Sequence, residues 1–278
     1  MSSKRTSNRR GCLPWVLGGV LLWVWFSGDD PQWQDSALVV EQFDPRNPRR
    51  PMPEIGESFV IADPGPQQDS QGTAFAVDRD GTWLTAQHVT HGCDRLGMVS
   101  DGAIDPLVDV LESAEADVSV IRQGPQARFA LALTEDLPEE GALGYHMGFP
   151  AGEPSVVVSR YIGQTYAQRG GPGGVAEPIL AWAEGDRLPP TDGALGGISG
   201  GPTFDDQGRV VGVNAASTPR RGRVLTTDPV AIGRLVQASA AVDDRGQITN
   251  LSTPASAASL FRVLLDQGII RQVYCDVR

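Results

Sequence analysis

The sequence predicts an all-β domain built from many short strands. Three observations lead there. Gly 33 and Pro 21 in 278 residues make the chain rich in turns, which favours short strands over long helices. Two apolar-alternating runs, Gln71 to Val77 and Thr82 to Ala86, flank an Asp78-Arg79-Asp80-Gly81 turn and read as a β-hairpin. A second hairpin follows from Thr203-Phe204, the turn Asp205-Asp206-Gln207-Gly208, and Val210 to Val213. An apolar fraction of 40% is enough for a proper core, and the length holds one large domain or two small ones.

The net charge of −11 argues against a nucleic-acid partner, because phosphate binding needs a basic face. Cys12, Cys93 and Cys275 are far apart, and His88, His91 and His146 form no His-x-x-x-His pair. No metal site and no cofactor are expected from these spacings.

The N-terminus reads as an address. Lys4, Arg5, Arg9 and Arg10 make residues 1–10 a basic tail, and an uncharged apolar run covers 11–28. As a helix the run spans roughly 27 Å at about 1.5 Å per residue, just enough for a bilayer core. Positive charge before it and Asp29-Asp30 after it predict a single transmembrane anchor with the rest of the chain outside the cytoplasm. A cleaved signal peptide is the main rival, although Trp25, Phe26 and Ser27 do not offer the small-x-small pattern that cleavage prefers. Residues 29–54, with Pro45, Pro48, Pro51 and Pro53, read as an extended tether.

Beyond the tether, strands are expected at 55–62, 155–168 and 178–183, with a glycine-rich loop at 170–175. Thr227-Asp228-Pro229 caps a helix running to about Ala240. Thr253-Pro254 opens another, with Ala257, Leu260, Phe261, Leu264 and Leu265 at helical spacing and Gly268 to close it. This last helix is expected to pack on the domain.

Three segments carry chemistry. In Gly196-Gly197-Ile198-Ser199-Gly200-Gly201-Pro202 a serine sits on a tight loop whose glycines bend freely and clear space above it. The amides of Gly197 and Ser199 are placed to hold a developing oxyanion. On its own the stretch also reads as a plain glycine-rich turn. His88 lies just past a strand, opening a short helical turn, and a lone histidine there is more often structural. Asp117 stands at the entrance of the alternating strand Val118 to Ile121. A carboxylate there needs hydrogen-bond donors to stay charged, and an imidazole N–H would serve.

Thr85-Ala86-Gln87-His88-Val89, Ala116-Asp117-Val118-Ser119-Val120-Ile121 and Gly197-Ile198-Ser199-Gly200-Gly201-Pro202 resemble the signature segments of trypsin-like (chymotrypsin-fold) serine proteases. They look closest to the bacterial HtrA/DegP-like branch, over about 55–237. The resemblance implies two six-stranded antiparallel β-barrels with a cleft between them, in a protease domain at 55–242 followed by a C-terminal extension at 243–278 carrying the helix. It implies an extracytoplasmic, inner-membrane-anchored endopeptidase acting on proteins or peptides, with catalytic His88, Asp117 and Ser199. It also implies a specificity pocket based near Gly193, and a substrate-pairing strand at Asn214, Ala215 and Ala216. Two features depart from the pattern. Ile198 stands where the family usually carries Asn or Asp, which puts the support of the loop in question. The stretch after Ser239 is too short for the PDZ domain that HtrA proteins add. His146 has no acidic partner nearby in sequence and reads as structural.

Two other classes remain at the level of sequence. One is a catalytically inactive binding module on a protease scaffold. The other is an esterase using the same residues, against which stand Pro202 and the hairpin after the serine, where a nucleophile elbow needs a helix. Outside the cytoplasm, cysteines meet an oxidising compartment. Cys12 lies in the apolar run, which leaves Cys93 and Cys275 to bridge. Two unpaired thiols are the other arrangement.

Overall fold

The computed structural model describes residues 59–61, 68–100, 102–169, 175–218, 222–239, 245–246 and 251–278. The expected basic tail, membrane span and tether lie outside the described residues. Among the described residues, no helix is long and apolar enough to cross a membrane.

The strands, in chain order, are β1 (Phe59–Ile61), β2 (Ser70–Ala76), β3 (Trp83–Thr85), β4 (Arg95–Ser100), β5 (Ala103–Leu107), β6 (Asp109–Glu112), β7 (Ser119–Arg122), β8 (Ala130–Leu131), β9 (Leu143–Gly148), β10 (Ser155–Arg169), β11 (Val175–Leu188), β12 (Pro202–Phe204), β13 (Val210–Thr218), β14 (Arg223–Thr227), β15 (Arg245–Gly246) and β16 (Ile270–Asp276). The helices are α1 (Gln87–Thr90), α2 (Pro229–Ala238) and α3 (Pro254–Asp266).

The second half forms a closed barrel of six strands, β9-β10-β11-β14-β13-β12, with β12 returning to β9. The short β1 adds outside it, parallel to the far end of β10. The barrel is filled by Val157, Tyr161, Leu180, Trp182, Leu195 and Ile198. Ile198 is thus a core residue, and the serine loop is supported by apolar packing where the family pattern would use a polar side chain.

The first half corrects the expected second six-stranded barrel. It is an open seven-stranded sheet in the order β5-β4-β16-β2-β3-β7-β6. Pro106 lies in the edge strand β5. A residue without an N–H is tolerated at such an edge. The C-terminal extension also holds more than the expected helix. Its strand β16 lies in the middle of this sheet, paired with β2 from Phe75 to Ser70 and with β4 from Met98 to Arg95. Phe75, Trp83, Leu84, Met98 and Ile121 of this sheet are fully buried. Burying side chains of this size gives roughly 1.5–3 kcal/mol each.

The two halves meet through α3, whose Ala257, Phe261 and Leu264 are buried and whose Phe261 ring packs edge-on against Phe149. Thr253 caps this helix through the Ser256 amide, with Pro254 in the first turn, the arrangement those residues favour at a helix start. Asp228 caps α2 in the same way, accepting from the amides of Val230 and Ala231.

Candidate active site

His88 sits on α1, a single turn that follows β3 directly. A helix this short does not hold itself, so its orientation comes from what it touches. Asp117 arrives on the connector between β6 and β7 and is 3% exposed. Its Oδ1 accepts the His88 amide N–H at 3.0 Å, and its Oδ2 lies 2.7 Å from His88 Nδ1. A carboxylate oxygen accepts, so Nδ1 carries the proton and Nε2 is left as the acceptor. The His88 side chain remains 39% exposed. Thr227, at the end of β14, donates its hydroxyl to the Asp117 carbonyl at 2.9 Å and ties the connector to the closed barrel.

Ser199 lies half-buried on the loop between β11 and β12. Its carbonyl accepts the Thr73 amide of β2 at 2.8 Å. Gly72 is wedged between this carbonyl and Val89, the residue after His88: a Cβ there would come within 2.6 Å of Val89 and 3.1 Å of the Ser199 oxygen. Gly200 has φ +85°, and a Cβ on it would run into the Thr73 carbonyl, the Thr85 hydroxyl and the Ala86 amide. Only glycine lets the serine loop approach β2 and the start of α1 this closely. The segments of Ser199 and His88 therefore flank the same piece of β2.

Within the loop, the Ile198 amide donates to Leu195, that of Gly200 to Asn214 and that of Gly201 to Ile198. The Gly196 carbonyl accepts from Ala151 at 2.7 Å. In a trans peptide the next N–H points the opposite way, so the Gly197 amide faces away from Ala151. Gly197 has φ +99°, and its carbonyl accepts the Thr73 hydroxyl at 2.8 Å.

The expected pocket residues are distributed differently. Gly193 is exposed with φ +121°, and its carbonyl accepts from Arg187 Nη1 at 2.7 Å. Arg187 is paired with Glu184 at 2.6 Å. The Asn214 side chain does not face the cleft. It is 1% exposed and its Oδ1 lies 2.8 Å from His146 Nδ1. Ala215 is buried and Ala216 half-buried. From Ala216 to Thr218, β13 pairs with β14 alone among the described residues, which leaves one edge of this segment without a strand.

His146 is at the centre of the closed barrel, fully buried. Nδ1 donates to Asn214 Oδ1, and Nε2 accepts from Ser159 at 2.6 Å. Thr203 completes the cluster at 2.8 Å from Nδ1, and the Trp182 ring meets the imidazole edge-on at 5.4 Å. Burial drives its pKa from 6.5 down to about 4, against a smaller upward pull from the Asn214 hydrogen bond. Among the described residues no group of three or more His, Cys, Asp or Glu is arranged to hold a metal ion.

A model of the trypsin-like peptidase domain matches residues 72–213, just over half of the chain. The chain belongs to the trypsin-like peptidase family. This trypsin-like peptidase is 30% identical over 170 residues to a probable periplasmic serine endoprotease DegP-like from Hahella chejuensis, covering 57% of this chain and 32% of the relative. It is 28% identical over 172 residues to the putative serine protease HhoA of Synechocystis sp., covering 58% of this chain and 41% of that one. The chain thus spans well under half the length of these curated relatives. Its fold is similar to the crystal structure of the active form of Rv3671c protease from M. tuberculosis, with a TM-score of 0.53 at 19% identity, covering 69% of this chain and 83% of that chain.

Sequence reasoning missed Thr73, Thr227 and the Arg187–Glu184 pair. Thr73 lies in an otherwise small and apolar strand, Gly72 to Ala76. A fully buried threonine there must spend its hydroxyl on the backbone of another segment, and that need is the one signal that marked it.

Proposed function

We propose that this chain is a serine endopeptidase that cleaves peptide bonds through an acyl-enzyme. Ser199 attacks the scissile carbonyl. His88 Nε2 takes the serine proton and returns it to the leaving amine. Asp117 fixes the Nδ1–H tautomer and stabilises the imidazolium. The Gly197 and Ser199 amides bind the oxyanion, and the open edge at Ala216–Thr218 takes the substrate backbone as an added strand. The observation that carries the reading is the double grip of Asp117 on His88 beside a glycine-pinned serine loop. A fluorophosphonate probe tests it: wild-type protein should label and Ser199→Ala should not. A wild-type protein that stays unlabelled and leaves casein intact would point to a binding module instead.

The domain at 55–242 carries the chemistry, with 243–278 completing its first sheet. The run at 11–28 anchors it to the bacterial inner membrane, and the tether at 29–54 holds it on the periplasmic side. A Cys93–Cys275 bridge fits an oxidising compartment, and the DegP-like relative is described as periplasmic. Alkaline phosphatase fused after residue 54 should be active in intact cells; an inactive fusion would place the domain inside.

A further inference from the structure

The turn that carries His88 is held by a second carboxylate. Glu112 ends β6, five residues before Asp117 on the same β6–β7 hairpin. Its Oε1 accepts the Thr90 hydroxyl at 3.0 Å, and its Oε2 lies 2.9 Å from His91 Nδ1. Thr90 is buried, and its oxygen stands 2.9 Å from the fully buried Ser119 hydroxyl. Ser119 faces Glu112 across the β6–β7 ladder. A hydroxyl has one proton to give. The Thr90 oxygen also lies 3.1 Å from the Gln87 carbonyl of its own turn; the relay that satisfies Ser119, Thr90 and Glu112 together runs from the Ser119 O–H to the Thr90 oxygen, and from the Thr90 O–H to the nearer Glu112 carboxylate at 3.0 Å.

We infer that Glu112 is a positioning residue for the reaction: through Thr90 and His91 it fixes the far end of α1 and thereby the angle at which His88 enters the cleft. This rests on the reading of His88 as the general base. The argument is geometric. α1 has four residues and no side-chain cap at Ala86, so tethers at both ends decide its tilt. Asp117 grips residue 88; Glu112 grips residues 90 and 91. A hydrogen bond to a carboxylate is the stronger kind, and the Thr90 end of this one is buried. Without Glu112, residues 90 and 91 can shift between the Asp117 grip and the bridge at Cys93, and displacements of an ångström at a reacting group lower turnover steeply.

The test uses the full chain and a fluorogenic peptide, with melting temperature read alongside. Glu112→Ala and Thr90→Val should each lower kcat by roughly ten- to a hundredfold while KM stays within about twofold. Combining them should cost no more than the worse single change, because both cut one tether. Glu112→Gln keeps an acceptor for Thr90 and should recover most of the turnover. Glu115→Gln, an exposed carboxylate on the same connector, should behave as wild type. If Glu112→Ala does not fold, Thr90→Val decides alone. Wild-type kcat in the foldable variants, or a loss confined to KM, overturns the role of Glu112. Wild-type protein that labels with fluorophosphonate separates that failure from a failure of the nucleophile reading, since an unlabelled wild type overturns both.

Discussion

Asp117 meets His88 twice, taking the backbone amide on one oxygen and the ring Nδ1 on the other. The amide bond fixes where the turn begins, and the ring bond fixes which nitrogen is protonated and where the imidazole plane lies. A buried carboxylate with both oxygens engaged stays in place without water. The proposed chemistry makes a direct demand of this pair: the ring must present Nε2 as a base and then bear a positive charge.

Ser199→Ala and His88→Ala should each abolish peptide hydrolysis while leaving the melting curve essentially unchanged. The double variant should be little worse than either single, because the groups act as a unit. Asp117→Asn should lower kcat by about 10⁴, since an amide facing Nδ1 favours the wrong tautomer. Steady-state kinetics on a peptide substrate checks all three. Wild-type turnover in purified Ser199→Ala removes the assignment.

Gly197→Ala should fold and lose turnover. The residue sits at φ +99°, and a Cβ would press into the Phe149 carbonyl. Relief comes by rotating the peptide whose amide is proposed to hold the oxyanion. Removing one such donor costs about 10²–10³ in kcat. KM should change little, and a loss appearing in KM alone would place the Gly197 amide outside the transition state.

The parts of the fold written in local pattern were legible. The β2–β3 and β12–β13 hairpins follow from alternation around Asp/Gly turns, and both long helices from their capping residues. The parts that depend on distant partners were not. Strand β16 has buried positions at Ile270, Val273 and Cys275, which break the two-residue period, and its partners in β2 and β4 lie 175–205 residues earlier in the chain. Edge strand β5 exposes its apolar Ala103 and Ile104, so its composition does not reveal which side of the sheet it borders. In the site, residue types on strand ends pointed to His88, Asp117 and Ser199, yet the side chain of Asn214 turned inward. One-residue periodicity around a bulge, here between Asn214 and Ala216, reverses which side chains face the core.

Cys93 and Cys275 form a disulfide with Cα atoms 5.3 Å apart. It joins the segment just after α1 to β16 and closes a loop of 182 residues. On a chain-entropy argument, closing so long a loop removes on the order of 5 kcal/mol from the unfolded state. Cys275→Ser, or reduction of the wild type, should lower the urea midpoint markedly. Mass mapping of a non-reduced digest should show the 93–275 peptide pair. Freely alkylated Cys93 and Cys275 in protein from its native compartment would refute the bridge.

His146 should make the protein acid-sensitive. Its pKa is about 4 in the folded protein and about 6.5 in an unfolded chain. Above pH 6.5 it is neutral in both states and contributes no slope. Between 6.5 and about 4 only the unfolded chain takes up the proton, so stability falls as pH falls. Below about 4 both states are protonated and the loss levels off. The full span is ~3 kcal/mol. The folded protein refuses the proton because the imidazole is walled in by Trp182 and already spends its two nitrogens on Asn214, Thr203 and Ser159. His146→Gln lacks this titration. It should be less stable than wild type at pH 7.5, through lost hydrogen bonds in a buried cluster, and the gap should narrow steadily as pH drops toward 4. Urea unfolding of both proteins across that range gives the two curves, and parallel curves would mean that His146 charges as readily inside the barrel as outside it.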